Sequence, residues 1–351
     1  MPSTVVPDKS APRSAAVRMF GPYQLLRLLG KSERTMAWAV ARTGGTDLLM
    51  VLPRVQPIGA AALERWLQRV QRAARLQHPN LARPLDVGVQ DGWPYAAYEL
   101  GELATLTERL PAKGLPAAEV APLAEQALNG LAFAHEGGVV HHDIQPYLLV
   151  SLPNGPLMLA GLEVAGDEAE TEARGAGSVE PGALRAQRDA AQRDVLALGI
   201  VLHQMLAGAP ALDEPDVGRV IGRLPPEGRD IVRLPWSTAH PVPEALRVIV
   251  NRATDRQERQ RYRNARTLAR ALEGWIQAES GAGGGPLALL ADKLRAAGAL
   301  PSSPGAAGQA AKLAMMERER TNELAEVVLQ DLALAFELLR ATQPTTARSS
   351  T

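Results

Sequence analysis

No cysteine occurs among the 351 residues, so disulfides and thiolate-bound metals are excluded at the outset. An excess of charge of either sign is also lacking. Lys and Arg total 38, Asp and Glu total 38, and the formal net charge is zero, which argues against broad nucleic-acid binding, usually carried by a basic domain. Long hydrophobic runs are absent too. The most apolar helical stretch, Val195 to Leu206, is far shorter than the roughly 20 residues a membrane span needs and carries His203 and Gln204, as suits a buried core helix. Met1 to Val17 holds Pro, Ser and scattered charges without the apolar run of about 7–15 residues that marks a signal peptide, and reads as a disordered leader. No Walker loop, nucleophile elbow or zinc spacing is present. These absences lead us to expect a cytoplasmic protein whose partners include neither membrane nor nucleic acid.

The stretch Val140-His141-His142-Asp143-Ile144-Gln145-Pro146-Tyr147-Leu148-Leu149 resembles the catalytic loop of protein kinases, H-R-D-L-x-x-x-N. The resemblance implies that Asp143 stands where the base accepts a substrate hydroxyl proton, and that Leu148 stands where an Asn holds Mg²⁺. A leucine offers no lone pair to a hard cation. Gln145 replaces the lysine usual in Ser/Thr kinases and brings no positive charge to a transferring phosphoryl group. Upstream, Tyr23 to Gly30 reads as a strand entering a glycine-rich loop, but G-x-G-x-x-G becomes Gly30-Lys31-Ser32-Glu33-Arg34-Thr35. Close backbone approach to phosphates is then harder. The strand Asp47 to Arg54 carries no lysine, its expected position falling on Val51 or Leu52, and the partner glutamate of the following helix is Arg69. Ala160 sits where the D-F-G aspartate belongs. No metal ligands are therefore expected, although Glu163 or Asp167 could supply a carboxylate from a shifted loop.

Residues that hold the kinase fold together fare better. Leu76-Gln77-His78-Pro79-Asn80-Leu81 resembles the L-x-H-P-N turn, and Tyr95 to Leu100 resembles the strand and hinge leaving the small lobe. Arg193 to Leu202 resembles the D-x-x-[SA]-L-G helix, implying that Asp194 hydrogen-bonds the catalytic-loop backbone. Asp255 to Tyr262 resembles D-P-x-x-R, implying a structural Arg259; its usual A-P-E partner reads Ala183-Leu184-Arg185, so two arginines would meet. His141 has a core-packing role in preference to metal ligation. The arginines from Arg252 to Arg266 read as a solvated face, and Trp93 and Trp236 as lobe packing.

The expected architecture is α+β: a two-lobed protein-kinase-like fold over residues 20–279, with a small β-rich N-lobe and a larger helical C-lobe, plus C-terminal helices. Residues 1–19 read as leader, 280–308 as a linker with one short helix, 309–342 as a helical segment and 343–351 as a tail. Within the segment, Asn322 to Arg340 reads as one helix and resembles the opening of HD-related output (HDOD) domains, with Leu332 replacing the family's Pro. A lone amphipathic helix there would dock, self-associate or stay loosely ordered.

Removing one preorganised contact costs about 3–4 kcal/mol of transition-state stabilisation. A discounted loss of about 6–8 kcal/mol lowers the rate roughly 10⁴–10⁶-fold. The favoured expectation is a pseudokinase that regulates or scaffolds protein partners in bacterial-type signalling. Two alternatives stay open: a weakly active Ser/Thr kinase using Asp143, and a nucleotide sensor holding ATP without metal beneath Gly30 and against the hinge of Tyr98, Glu99 and Leu100.

Overall fold

The computed structural model describes residues 18–42, 45–151, 155–166, 181–279, 305–314, 327–331 and 333–335. The chain divides into two units, Met1–Ile276 and Gln277–Thr351. In the first, strands β1 (Arg18–Phe20), β2 (Tyr23–Lys31), β3 (Thr35–Arg42), β4 (Asp47–Pro53), β5 (Pro84–Gln90) and β6 (Trp93–Glu99) form one antiparallel sheet in the order β1-β2-β3-β4-β6-β5. Its central strand β4 is buried on both faces from Leu48 to Pro53, so it reads as a continuous apolar run instead of alternating. Helix α1 (Ala60–Ala73) covers one face. Its buried Ala62, Trp66, Val70 and Ala73 recur at helical spacing, and Trp66 and Val70 join Leu49, Val51 and Ala96 in one cluster.

The second lobe is helical. A two-residue strand β7 (Ala104–Thr105) leads into α2 (Leu106–Arg109), and α3 (Ala117–Glu136) forms its axis. Alanines let neighbours approach α3 closely, and Gly130 does so most: a Cβ there would lie 2.6 Å from the Asn80 carbonyl oxygen. Asn80 in turn donates its side-chain amide to the Leu157 carbonyl at 2.8 Å. Strand β8 (Leu149–Ser151) pairs with β7 on one side and with β9 (Leu157–Leu159) on the other, forming a small sheet. The long helix α4 (Pro181–Ala207) packs on α3, followed by α5 (Val217–Arg223), α6 (Glu244–Ala253) and α7 (Ala265–Glu279). Leu268, Leu272 and Trp275 of α7 are buried and recur at helical spacing, giving the helix one apolar stripe. This is the two-lobed arrangement expected from the resemblance.

Three readings need correction. Trp236 is not lobe packing: it is 80% exposed, with one ring face covered by the Arg247 guanidinium at 4.7 Å. The arginine series is not one solvated face either, since Arg252 stacks on Tyr262 at 4.6 Å and Arg261 reaches inward to the Pro225 carbonyl at 2.7 Å. The single helix expected over 322–340 is broken at Asp331, whose carboxylate accepts from the Ala333 and Leu334 N–H groups. In the second unit, helix α8 spans Ala306–Ala314; the leader to residue 17, the short helix of 287–294, the tail and most of the HDOD-like stretch lie outside the described residues.

Candidate functional site between the lobes

The site is assembled around the loop before β8. Asp194, near the middle of α4, accepts hydrogen bonds from the His141 N–H at 2.7 Å and the His142 N–H at 3.0 Å, and pairs with His135 Nε2 at 3.0 Å. Burial would raise its carboxyl, but the His135 hydrogen bond and the surrounding imidazoles hold it below the usual carboxylate value. His141 is fully buried against the Ala160 carbonyl at 2.8 Å, and burial keeps its imidazole below its ordinary pKa. No group of three or more metal-ligating side chains occurs among the described residues.

Asp143 is 5% exposed, and its carboxylate meets the opposite lobe. Ser32 Oγ and Thr35 Oγ1 each donate to Asp143 Oδ2 at 2.6 Å, and Gln145 Nε2 donates to Oδ1 at 2.8 Å. The same Gln145 amide donates to Asp216 Oδ1 at 2.9 Å, while its oxygen accepts from the Val217 N–H at 3.2 Å. Gln145 thus bridges two carboxylates where a lysine was expected to supply charge. Asp216 also accepts from the Glu33 N–H at 2.7 Å. Arg34 donates to the His142 carbonyl at 3.1 Å, and Arg219 pairs with Glu33 at 2.9 Å. Every residue from Ser32 to Thr35 therefore touches the second lobe.

Beneath that turn lies Tyr147. A Cβ on Gly30 would fall 2.1 Å from Tyr147 Cδ1, so the ring is packed directly on the glycine backbone. The Tyr147 hydroxyl is 3.0 Å from Thr35 Oγ1, and burial pushes it above the usual phenol value. The ring belongs to a cluster with Leu29, Ala37, Val51, Leu100, Leu148 and Ala160. Leu148 and Ala160, at the two positions expected to hold metal, are both 0% exposed. Val51, one of the two positions read for the lysine, pairs with Ala37 and Ala96 inside the sheet, and the other, Leu52, is buried as well.

The expected ion pair of α1 is replaced with reversed charges. Arg69 is buried, its Nε lies 3.9 Å from Glu163 Oε2, and it donates to the Gly166 carbonyl at 2.9 Å. Arg72 and His142 also approach Glu163, at 3.9 and 3.6 Å. Glu163, weighed above as a metal ligand, thus faces two guanidinium groups and an imidazole, and Asp167 lies outside the described residues. At the hinge, the Leu100 and Gly101 N–H groups both donate to the Asp47 carbonyl, at 3.1 and 3.0 Å. Tyr98 is buried with its hydroxyl accepting from the Gly161 N–H at 3.1 Å, and Glu99 is exposed. Arg259 is exposed and donates to Gln257 at 3.2 Å; the inward-facing arginine is Arg261. Ala183 to Arg185 lies in the first turns of α4, which opens well before Asp194.

The family model of the protein kinase domain matches residues 55–270. The chain belongs to the protein kinase domain family. This kinase domain is 28% identical over 267 residues to the serine/threonine-protein kinase PrkC of Bacillus subtilis, covering 72% of this chain and 40% of that protein. It is 26% identical over 275 residues to the serine/threonine-protein kinase PknH of Mycobacterium tuberculosis, covering 72% and 42%. Against the tyrosine-protein kinase MasK of Myxococcus xanthus it is 26% identical over 313 residues, covering 82% and 48%. The chain thus spans less than half the length of these relatives. The crystal structure of the Mycobacterium tuberculosis PknI kinase domain superposes with a TM-score of 0.47 at 22% identity, covering 74% of this chain and 98% of that one. No helix among the described residues of the kinase domain is long and apolar enough to cross a membrane.

Proposed function

We propose that this kinase domain is catalytically impaired and works as a pseudokinase, a regulatory or scaffolding module for protein partners in bacterial-type cytoplasmic signalling. The observation that carries the reading is the state of Asp143: its carboxylate accepts from Ser32, Thr35 and Gln145, so three of its roughly four acceptor positions are taken by the protein itself and a substrate hydroxyl would have to displace them. Supporting it, Leu148 and Ala160 offer no oxygen to a cation that binds through oxygen. The Tyr147 ring lies against Gly30 where a ligand's backbone contacts would be made, and Asp47 already takes the hinge N–H groups of Leu100 and Gly101. That last pairing also weighs against the nucleotide-sensor alternative. The Glu163 cluster weighs against the weak-kinase alternative, because the Arg69 and Arg72 guanidinium groups already face the acid it needs. The segment 309–342 is proposed, on its sequence pattern, as the start of an HDOD-like output element.

The test is a thermal shift of the full chain with ATP or ADP, each with Mg²⁺ or EDTA, beside a phosphoryl-transfer assay. A binding-competent protein at ligand near 100 Kd gains about 2.7 kcal/mol. We expect neither shift nor transfer. Mg²⁺-dependent autophosphorylation lost in Asp143→Asn would overturn the proposal, and an EDTA-insensitive shift would favour the nucleotide sensor.

A further inference from the structure

We infer that the turn Lys31–Thr35 is a latch that fastens the two lobes together without nucleotide, with the Asp143–Gln145–Asp216 carboxylate bridge as its catch. The inference rests on the pseudokinase reading and deepens it by assigning what sets the domain's conformation. Three features of the turn carry the inference. Ser32 and Thr35 stand where glycines were expected, and their hydroxyls supply two charge-assisted bonds at 2.6 Å to one carboxylate oxygen. Gln145 is neutral and two-sided, so it joins Asp143 to Asp216 and lets Asp216 receive the Glu33 N–H at 2.7 Å. Tyr147 fills the space under the turn and tethers Thr35 from below.

Donors from one lobe thus meet acceptors of the other over four consecutive residues, at a site closed to water at Thr35 and nearly closed at Ser32 and Asp143. Buried donors and acceptors of this kind are costly to separate one at a time, which makes the closed form a discrete state. A cavity of about 660 Å³ shares its wall with the latch through Glu33, Arg34, Asp143 and Asp216. Opening the turn removes part of that wall, so the shape presented there depends on whether the latch is fastened.

The absence of native cysteine permits a direct test in the full chain. Cysteines placed at Leu85 on β5 and Val248 on α6, which are 64% and 56% exposed, would carry spin labels for a pulsed distance measurement. We expect one narrow distance distribution without nucleotide, unchanged by ATP with Mg²⁺ or EDTA. The Ser32→Ala/Thr35→Val double variant should widen it toward longer distances, since losing two bonds to a carboxylate shifts the closed-to-open ratio by about 100-fold or more, while Thr35→Ser should keep it narrow. A wild-type distribution that is already broad, or a double variant matching the wild type, would refute the latch. If the double variant does not melt cooperatively, Ser32→Ala alone carries the same comparison. Nucleotide-driven narrowing of a broad distribution overturns the latch, whereas Mg²⁺-dependent transfer by a protein that stays narrow overturns only the pseudokinase reading.

Discussion

Gly30→Ala isolates the packing of Tyr147 from every other role of the turn. Gly30 is not among the glycines with positive φ, so alanine meets no backbone penalty there and in a strand would ordinarily stabilise by roughly 0.5–1 kcal/mol. The new Cβ, however, would lie 2.1, 2.4 and 2.8 Å from Cδ1, Cγ and Cε1 of the Tyr147 ring. The ring must move, and it is held by its own cluster and by Thr35. Overpacking of this kind costs about 1–3 kcal/mol, and losing the Thr35 contact adds roughly 1 kcal/mol. A net loss of about 2–3 kcal/mol corresponds to a melting temperature lower by about 4–10 °C at this domain size. In a Tyr147→Ala background the clash has no partner, and Gly30→Ala should then be neutral or mildly stabilising. Thermal and urea unfolding of the wild type, both single variants and the double variant give the coupling directly. Additive effects, or a harmless Gly30→Ala, would refute the claim that the ring fills this space.

Two further outcomes follow from other parts of the fold. Burial depresses the pKa of His141 and of His203 from 6.5, so below that value the unfolded chain binds protons that the folded protein does not; stability is full above about pH 6.5 and declines as pH falls. The urea midpoint should drop between about pH 7.5 and 5.5, and His203→Gln should flatten the slope; a midpoint constant over that range would contradict the buried neutral imidazoles. Arg247 is 4% exposed and donates to the Leu234 and Pro235 carbonyls at 3.0 and 2.7 Å. Arg247→Ala should cost about 2–4 kcal/mol and speed amide exchange over residues 230–243, and unchanged exchange there would rule out the pinning role of its guanidinium.

The fold was legible because its signals are local. The His78-Pro79-Asn80 turn, the strand and hinge of Tyr95 to Leu100 and the Asp194 helix can each be read within a few residues. Departures from the kinase pattern were legible for the same reason: Leu148, Val51 and Ala160 offer no polar side-chain atom wherever they lie. What the site holds instead was not legible. Ser32 and Asp143 are 111 residues apart and Glu33 and Asp216 are 183 apart, so only the approach of the lobes shows that hydroxyls on the turn end on the loop's carboxylate. Glu163 could be weighed as a ligand only until Arg69 and Arg72 were seen beside it. Arg259 was read as the structural arginine because it fits the pattern's spacing from Asp255, and spacing alone cannot show that Arg261, two residues on, is the one that turns inward. Trp236 escaped because a scattered tryptophan is usually buried, and its cover, Arg247, comes from a helix downstream in the chain.

Helix α4 begins well before Asp194 and runs unbroken through it, 27 residues in all, a rod about 40 Å long at 1.5 Å per residue. Its first half carries the exposed Leu184 and Arg193, and its second half is sealed in the core from Val195 to Leu202. Asp194 sits at the changeover, gripping the His141 and His142 amides. Because the grip sits on a continuous helix, any displacement of α4 at Asp194 is carried straight to the two amides that precede Asp143.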